Sequence, residues 1–367
     1  MFLIRQATID DAPTLLKLAK MVHFINLPAD PEIIRSRIVW SRKSFAGQAT
    51  SPRERQFMFV IEETGTGNVI GTSSIASCIS WPGRPHTYLQ LRKRELYSTD
   101  LQTGQVHLTL KLGNDESGPS EIGGLVLGPS YRGHQEKLGM LLSLIRFHLI
   151  GLHREWFSDR IIAEMMGPLT PDSRNLFWEA FGRRFINLTF AEADLFCQRS
   201  KEFITSLLPK QEIYVSLLPP DARNTIGKVG PETEPAKKLL EGIGFRYCGH
   251  VDPFDGGPYL EAQIDEIDLV KSTRECRLGE PVDDGPNAGF VSVNREAGFR
   301  AVRTQYAESA GVVSIPPEAA ELLGAHAGDV IGLTPMPAPV AARLSPSKAD
   351  APAQRRATSA AGPEAVP

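Results

Sequence analysis

The residue types able to do chemistry concentrate first in a basic, glycine-bearing turn, YRGHQEKLG, which holds Arg132, Gly133, Lys137 and Gly139. A predicted helix follows this turn. The first turn of a helix leaves backbone N–H groups unpaired, and the macrodipole adds partial positive charge there. The segment can therefore cradle an anion such as a pyrophosphate, with Arg132 and Lys137 as flanking charges. It lacks the spacing of a GxGxxG or Walker A motif, which argues against a dinucleotide or ATP. A second chemical feature is Glu164, set inside the apolar run RIIAEM. Burial would raise its pKa and make it a base, or a partner would make it a structural carboxylate. Ser, Cys and His residues show no triad-like local motif, so a covalent nucleophile is unsupported.

The elements that must position these residues are legible around them. SEIGGLVLG reads as a strand in which Gly123 and Gly124 mark a bulge or a close backbone approach. After the turn, Leu138, Leu141, Leu142, Ile145, Leu149 and Leu152 repeat with helical periodicity. Upstream, residues 2–7 read as a strand. A helix follows with Ala12, Leu15, Leu16, Ala19 and Val22 on one face, capped by Thr8 or Asp10. Residues 32–39 read as a helix, 44–55 as a polar loop, 57–77 as a hairpin turning at 64–68, and 105–112 as a strand. Downstream come a strand at 160–165 and the helix NLFWEAFG, capped by Asp172 or Ser173 and ended by Gly182. A helix over 201–208 leads to a second helix–glycine–strand corner, AKKLLEGIGFRY. Residues 290–293, 299–305 and 311–333 form a β-rich ending, the last reading strand, short helix, turn, strand. That ending is similar to the half-barrel of AbrB-type transition regulators, but it carries few Arg or Lys to neutralise phosphates. The Pro/Ala/Ser-rich remainder is predicted to be disordered.

Composition narrows the class. The chain has 367 residues, 41% hydrophobic and 23% charged, with a net charge of −3. That balance describes a globular protein without general attraction to nucleic acid or anionic lipid. No apolar run approaches a membrane span, since Arg146 and His148 interrupt the best one. The four cysteines are scattered without a CxxC pair, which favours reduced packing residues over disulfides or zinc. A cytoplasmic enzyme is the expectation.

IRQATIDDAPTLLKLA, the hairpin ending NVIGTSSI and the unit around Leu125 together resemble a GNAT-type acyl-CoA N-acyltransferase. SEIGGLVLGPSYRG, IIAEMMG, FWEAFGRRF, ADLFC, LLPKQEIYVSLL, TIGKVGPETEPAKKLLEGIGFRY and VDPFDGGPYLEAQID resemble the arginine N-succinyltransferase family in order and spacing, over roughly residues 1–335. FDGGP and PAKKLLEGIGFRY belong to that narrower family and not to the superfamily. The resemblance implies an α+β fold: a GNAT-like mixed, largely antiparallel sheet flanked by helices over residues 1–271, with a possible second GNAT-like half near 186–271. A small β-rich, barrel-like region over 272–335 and a disordered tail over 336–367 complete the expected organisation.

The resemblance also implies the chemistry. Family members move succinyl from succinyl-CoA to the α-amino group of arginine, with acyl-CoA as co-substrate and no permanently bound cofactor or metal. The family's acyl-CoA contact falls at Leu125, and its histidine proton donor falls at Gly230, where glycine carries no proton. Tyr247 and His250, which follow the GIGF corner, are the expected substitutes, although a strand-end histidine is more often a hydrogen-bonded structural residue. Glu121 and Asp255 are expected to receive the guanidinium, since planar carboxylates match its geometry. The change at Gly230 leaves open a related acyltransferase acting on another amine, or a non-catalytic acyl-CoA-binding or regulatory protein. The implied partners are small molecules, with no nucleic acid or membrane, and the apolar content permits a homo-oligomer.

Overall fold

Alternation along the strands decides which side of the sheet each helix covers. In the strand Gln56–Glu63, Phe57, Phe59 and Ile61 point to one face, while Met58 and Val60 point to the other. The first set packs under a helix at Leu138–Leu152 through Leu142, Ile145 and Leu149. The second packs under two helices, Ala12–Lys20 and Pro31–Phe45, through Leu15, Leu18, Ile34 and Ile38. These helices are α3, α1 and α2, with α1 first in the chain. The computed structural model describes residues 1–21, 27–197 and 200–336. Val22 and the tail beyond Met336 lie outside them.

Fifteen strands join in one sheet among the described residues. In chain order they are β1 (Phe2–Gln6), β2 (Gln56–Glu63), β3 (Asn68–Ala76), β4 (His86–Ser98), β5 (Thr103–Asp115), β6 (Ser120–Leu127), β7 (Arg160–Glu164) and β8 (Ile213–Tyr214). The rest are β9 (Arg246–Val251), β10 (Pro258–Gln263), β11 (Arg274–Leu278), β12 (Asn287–Arg295), β13 (Gly298–Ser309), β14 (Val312–Ser314) and β15 (Val330–Pro335). Their order is β12-β15-β11-β14-β13-β1-β2-β3-β6-β7-β10-β9-β4-β5-β8. Pairings are antiparallel except β6–β7 and β11–β14, so the fold is α+β with a mixed, largely antiparallel sheet. The extra pairing of β12 with β13 closes the last five strands into a barrel.

The barrel is continuous with the main sheet, because β13 pairs with β1 at Ile4–Ala301 and Arg5–Arg300. An aromatic seam reinforces the join, with Phe45 stacked on Phe299 at 5.4 Å. His148, in α3, bonds Thr334 of β15 through Nδ1 and Ser292 of β12 through Nε2, both at 2.6 Å. This is why a helix with a polar residue at its centre is still buried.

Three expectations change. Asn175, not Asp172 or Ser173, caps the helix Leu176–Ala180, accepting from Trp178 N at 2.7 Å. Gly182 does not end the helical segment but opens a second one, Gly182–Ile186, which stops at Asn187 in the left-handed region. Any Cβ at Gly182 would lie 2.3 Å from the Trp178 ring, so close packing is what requires glycine there. Phe185, expected to start a strand, is therefore helical. The hairpin partner β4 has no sequence expectation; its run LQLRKREL is half exposed and alternates weakly.

Candidate active site

Strands β6 and β7 run parallel and pair only at Ser120–Ile161 and Glu121–Ile162. Past that point they part and leave a wedge. On its other edge, β6 pairs with β3 at Ser74–Gly123 and Thr72–Val126, with a register shift between. Gly124 has φ +58°, a conformation that glycine adopts without steric penalty. Gly124 and Leu125 thus have no register partner in either ladder. The glycine pair in the sequence marks this bulge.

Ile122, Ile161 and Ala163 face α3, so Glu121 and Glu164 project from the opposite face, toward α2. A polar group gathers around them. Lys201 Nζ lies 3.4 Å from both oxygens of Glu164 and 3.9 Å from Asp252. His86 Nδ1 lies 3.6 Å from Glu164 Oε1. Tyr259 donates its hydroxyl to Asp252 at 2.8 Å. The two glutamates have opposite electrostatics. Burial, then the negative charge of Glu164, raises Glu121 to about 8, against the opposing pull of Lys201 and Arg37. Burial would also raise Glu164, but Lys201 and then His86 outweigh it and hold that carboxyl below its ordinary value. Glu164 is the paired carboxylate of the two sequence alternatives, and Glu121 carries the raised pKa. Burial lowers His86, whereas for Lys201 burial is outweighed by Glu164, Asp252 and Glu121, which raise it.

The basic turn lies at the N-terminus of α3. Lys137 occupies the cap position in the left-handed region, φ +55°, and Gly133 has φ +77°. Gly139, in the first turn, has ordinary space around it, with Leu127 3.8 Å from where its Cβ would be. Arg132 reaches Glu232 at 3.4 Å, which brings the turn beside the segment holding Gly230. Both side chains are largely exposed, so the pair is weak and Arg132 remains accessible to an anion. Gly230 itself has room for a side chain: the atom nearest a Cβ there is Pro168 Cα at 3.7 Å.

The remaining sequence candidates have other surroundings or other partners. The His250 ring stacks on Tyr88 at 3.9 Å within the β4–β9 ladder. Burial lowers its pKa, and the charges acting on it are Glu261, Arg160 and Asp115 rather than the Glu121–Glu164 group. The Tyr247 hydroxyl lies 3.2 Å from where a Cβ on Gly227 would sit, and burial pushes it up to about 12. Asp255 is buried, and both its oxygens are taken, by Gly167 N at 2.9 Å and Gly257 N at 2.7 Å. Those bonds clamp the FDGGP turn to the end of β7, a structural task rather than an open guanidinium seat. His86, Lys201, Asp252 and Tyr259 escaped sequence reasoning because no local motif joins them; the order β7-β10-β9-β4 brings His86, Asp252 and Tyr259 to Glu164, and Lys201 joins from the segment before the helix Glu202–Leu207. Among the described residues, no three His, Cys, Asp or Glu side chains group to hold a metal ion. No helix among them is long and apolar enough to cross a membrane.

Known proteins match this chain over most of its length. A family model described as arginine N-succinyltransferase beta subunit matches residues 2–269, and the model of its C-terminal domain matches 274–335. An arginine N-succinyltransferase from Escherichia coli is 33% identical over 340 residues, covering 91% of this chain and 97% of that protein. One from Yersinia enterocolitica is 34% identical over 347 residues, covering 92% and 99%. The solved structure of arginine/ornithine succinyltransferase subunit AI from Pseudomonas aeruginosa superposes with a TM-score of 0.80 at 27% identity, covering 92% of this chain and 99% of that one.

Proposed function

We infer the activity of this protein from one premise: the chain belongs to the arginine N-succinyltransferase family. It transfers the succinyl group of succinyl-CoA to the α-amino group of L-arginine, by direct aminolysis of the thioester. The observation that carries this reading is the wedge between β6 and β7, with two carboxylates of opposite electrostatics on its open face.

In this reading the thioester lies along β6 at Leu125, its carbonyl oxygen on the main-chain donors freed by the bulge. Donors fixed where negative charge develops stabilise the tetrahedral oxyanion without reorganising. The pyrophosphate rests on the start of α3, between Arg132 and Lys137. Glu121, ionised in part near neutral pH, takes the first proton of the α-ammonium group, directly or through water. The CoA thiolate is a tolerable leaving group, with a thiol pKa of roughly 8.5. The glycine at the family's proton-donor position therefore slows the reaction without forbidding it. We place the reaction in the cytoplasm.

Gly230 also favours a second reading, in which the same transfer acts on a different amine. Thiol release from succinyl-CoA, measured over a panel of amines, tests both. Release dependent on arginine is expected. Release only with another amine would replace arginine as the acceptor, and acyl-CoA binding without release on any amine would end the enzymatic reading.

A further inference from the structure

His86 opens β4 and turns its ring into the polar group beside the wedge, with the side chain 11% exposed. Its Nδ1 lies 3.6 Å from Glu164 Oε1, longer than a hydrogen bond, so the resting contact is electrostatic and strengthens when the ring is protonated. Its Nε2 is buried and has no hydrogen-bond partner. A buried ring nitrogen without a protein partner is unfavourable, so a water, a ligand or a transferred proton has a bond to supply there. Charged and titratable groups face His86 from several elements, and Arg160 stands behind one of them in an ion pair with Asp115. Glu164 comes from β7, Lys201 precedes the helix Glu202–Leu207, Asp252 and Tyr259 come from the β9–β10 corner, and Asp115 comes from β5. Burial dominates their sum and lowers the imidazole pKa, so a neutral ring with a free lone pair is present near neutral pH. Glu164 stays ionised beside it and stabilises the imidazolium once that forms.

We propose that His86, backed by Glu164, is the proton-carrying side chain of the transfer reaction, a role that rests on the succinyltransferase reading above. The neutral amine attacks the thioester carbon and the C–N bond forms, leaving a positively charged nitrogen. That nitrogen gives one proton to the imidazole, the C–S bond breaks, and the departing CoA sulfur takes the proton back from the imidazolium. The ring returns to its neutral state, and no oxidant, reductant or further reactant is needed. The position that carries the family's histidine is Gly230 here, so this chain draws its imidazole from a different strand. Glu164 and Lys201 act as positioning residues, the first orienting the ring and the second holding the carboxylate.

The test compares wild-type protein with His86→Gln, which keeps a polar side chain of similar reach. Expected is a fall in kcat of about 100-fold or more, the range of general acid–base catalysis. The KM for arginine, acyl-CoA affinity by calorimetry and the melting temperature should stay essentially unchanged. Adding Gly230→His to the His86→Gln protein should recover about tenfold or more of the lost rate, since an imidazole is restored. A His86→Gln protein with at least a third of wild-type kcat would overturn the proposal. So would a rate loss matched by an equal loss of acyl-CoA affinity or of thermal stability, which marks a structural residue. Wild-type protein that binds succinyl-CoA but releases no CoA with any amine would overturn the activity reading itself, and this proposal with it.

Discussion

Glu121 pairs with Ile162 as the last rung joining β6 to β7, and beyond that rung the two strands separate. The carboxylate at the mouth of the wedge is thus fixed by the same pairing that opens it. Glu164, two residues past Ile162 on the same face of β7, completes the mouth from the other side.

Glu121→Gln should reduce kcat/KM by about 10²-fold or more, the usual contribution of a general base. In wild-type protein the group's pKa is raised from 4.5 to about 8, so its ionised fraction grows as pH rises toward that value. The rate should climb with pH and level off above about 8. A pH–rate profile that is flat through this region would remove Glu121 from the mechanism.

Gly230→His in the otherwise wild-type chain should fold normally, because its Cβ would make only an ordinary contact, 3.7 Å from Pro168 Cα. It should raise kcat by about tenfold, a modest share of what a placed acid can supply. Steady-state kinetics with succinyl-CoA and arginine would check this; an unchanged kcat would mean that proton delivery does not limit turnover.

Removing charge from the basic turn should weaken acyl-CoA and spare the amine. Arg132→Ala and Lys137→Gly should each raise the KM for succinyl-CoA by about 3- to 10-fold, as expected for partly exposed charges on a phosphate. The KM for arginine should not move. Lys137→Gly should leave stability equal or higher, since glycine accepts φ +55° without strain. Equal shifts in both KM values would reject the turn as the pyrophosphate seat.

Acid should loosen the barrel from α3. Burial holds His148 at about 3, well below its ordinary 6.5. A depressed histidine leaves the unfolded chain binding the extra proton, so this stability is present above pH 6.5 and lost as pH falls toward 3. The melting temperature of wild-type protein should fall over that window, and His148→Gln should show a shallower decline. Parallel slopes for the two proteins would contradict the assignment.

Gly257→Ala should be among the most damaging single substitutions. Its Cβ would sit 2.0 Å from the Met165 carbonyl oxygen, a backbone atom that cannot move without disturbing β7. A loss of about 3 kcal/mol or more is expected by urea titration. A value below about 1 kcal/mol would show that the FDGGP turn yields.

Much of the scaffold was legible because its determinants are local. The stripe from Leu138 to Leu152 gives α3 with the expected bounds, and the alternation in residues 57–77 gives the β2–β3 hairpin. The adjoining Gly123 and Gly124 marked the bulge, since a strand rarely carries two glycines without a backbone reason. Where a tertiary neighbour decides, local reading failed. Gly182 looked like a helix stop, yet the Trp178 ring is what demands glycine there.

The sequence by itself determined most of the elements, the basic turn and the family, because propensity, periodicity and segment order are properties of the chain taken in line. Only the tertiary structure decided the electrostatics of the site. Glu164 drew Lys201 and so sits below its ordinary pKa, while Glu121, buried beside that negative charge, sits above. The pKa of a buried carboxylate is set by the charges within a few ångströms of it, and the tertiary packing that delivers His86 and Lys201 to Glu164 is invisible to spacing along the chain.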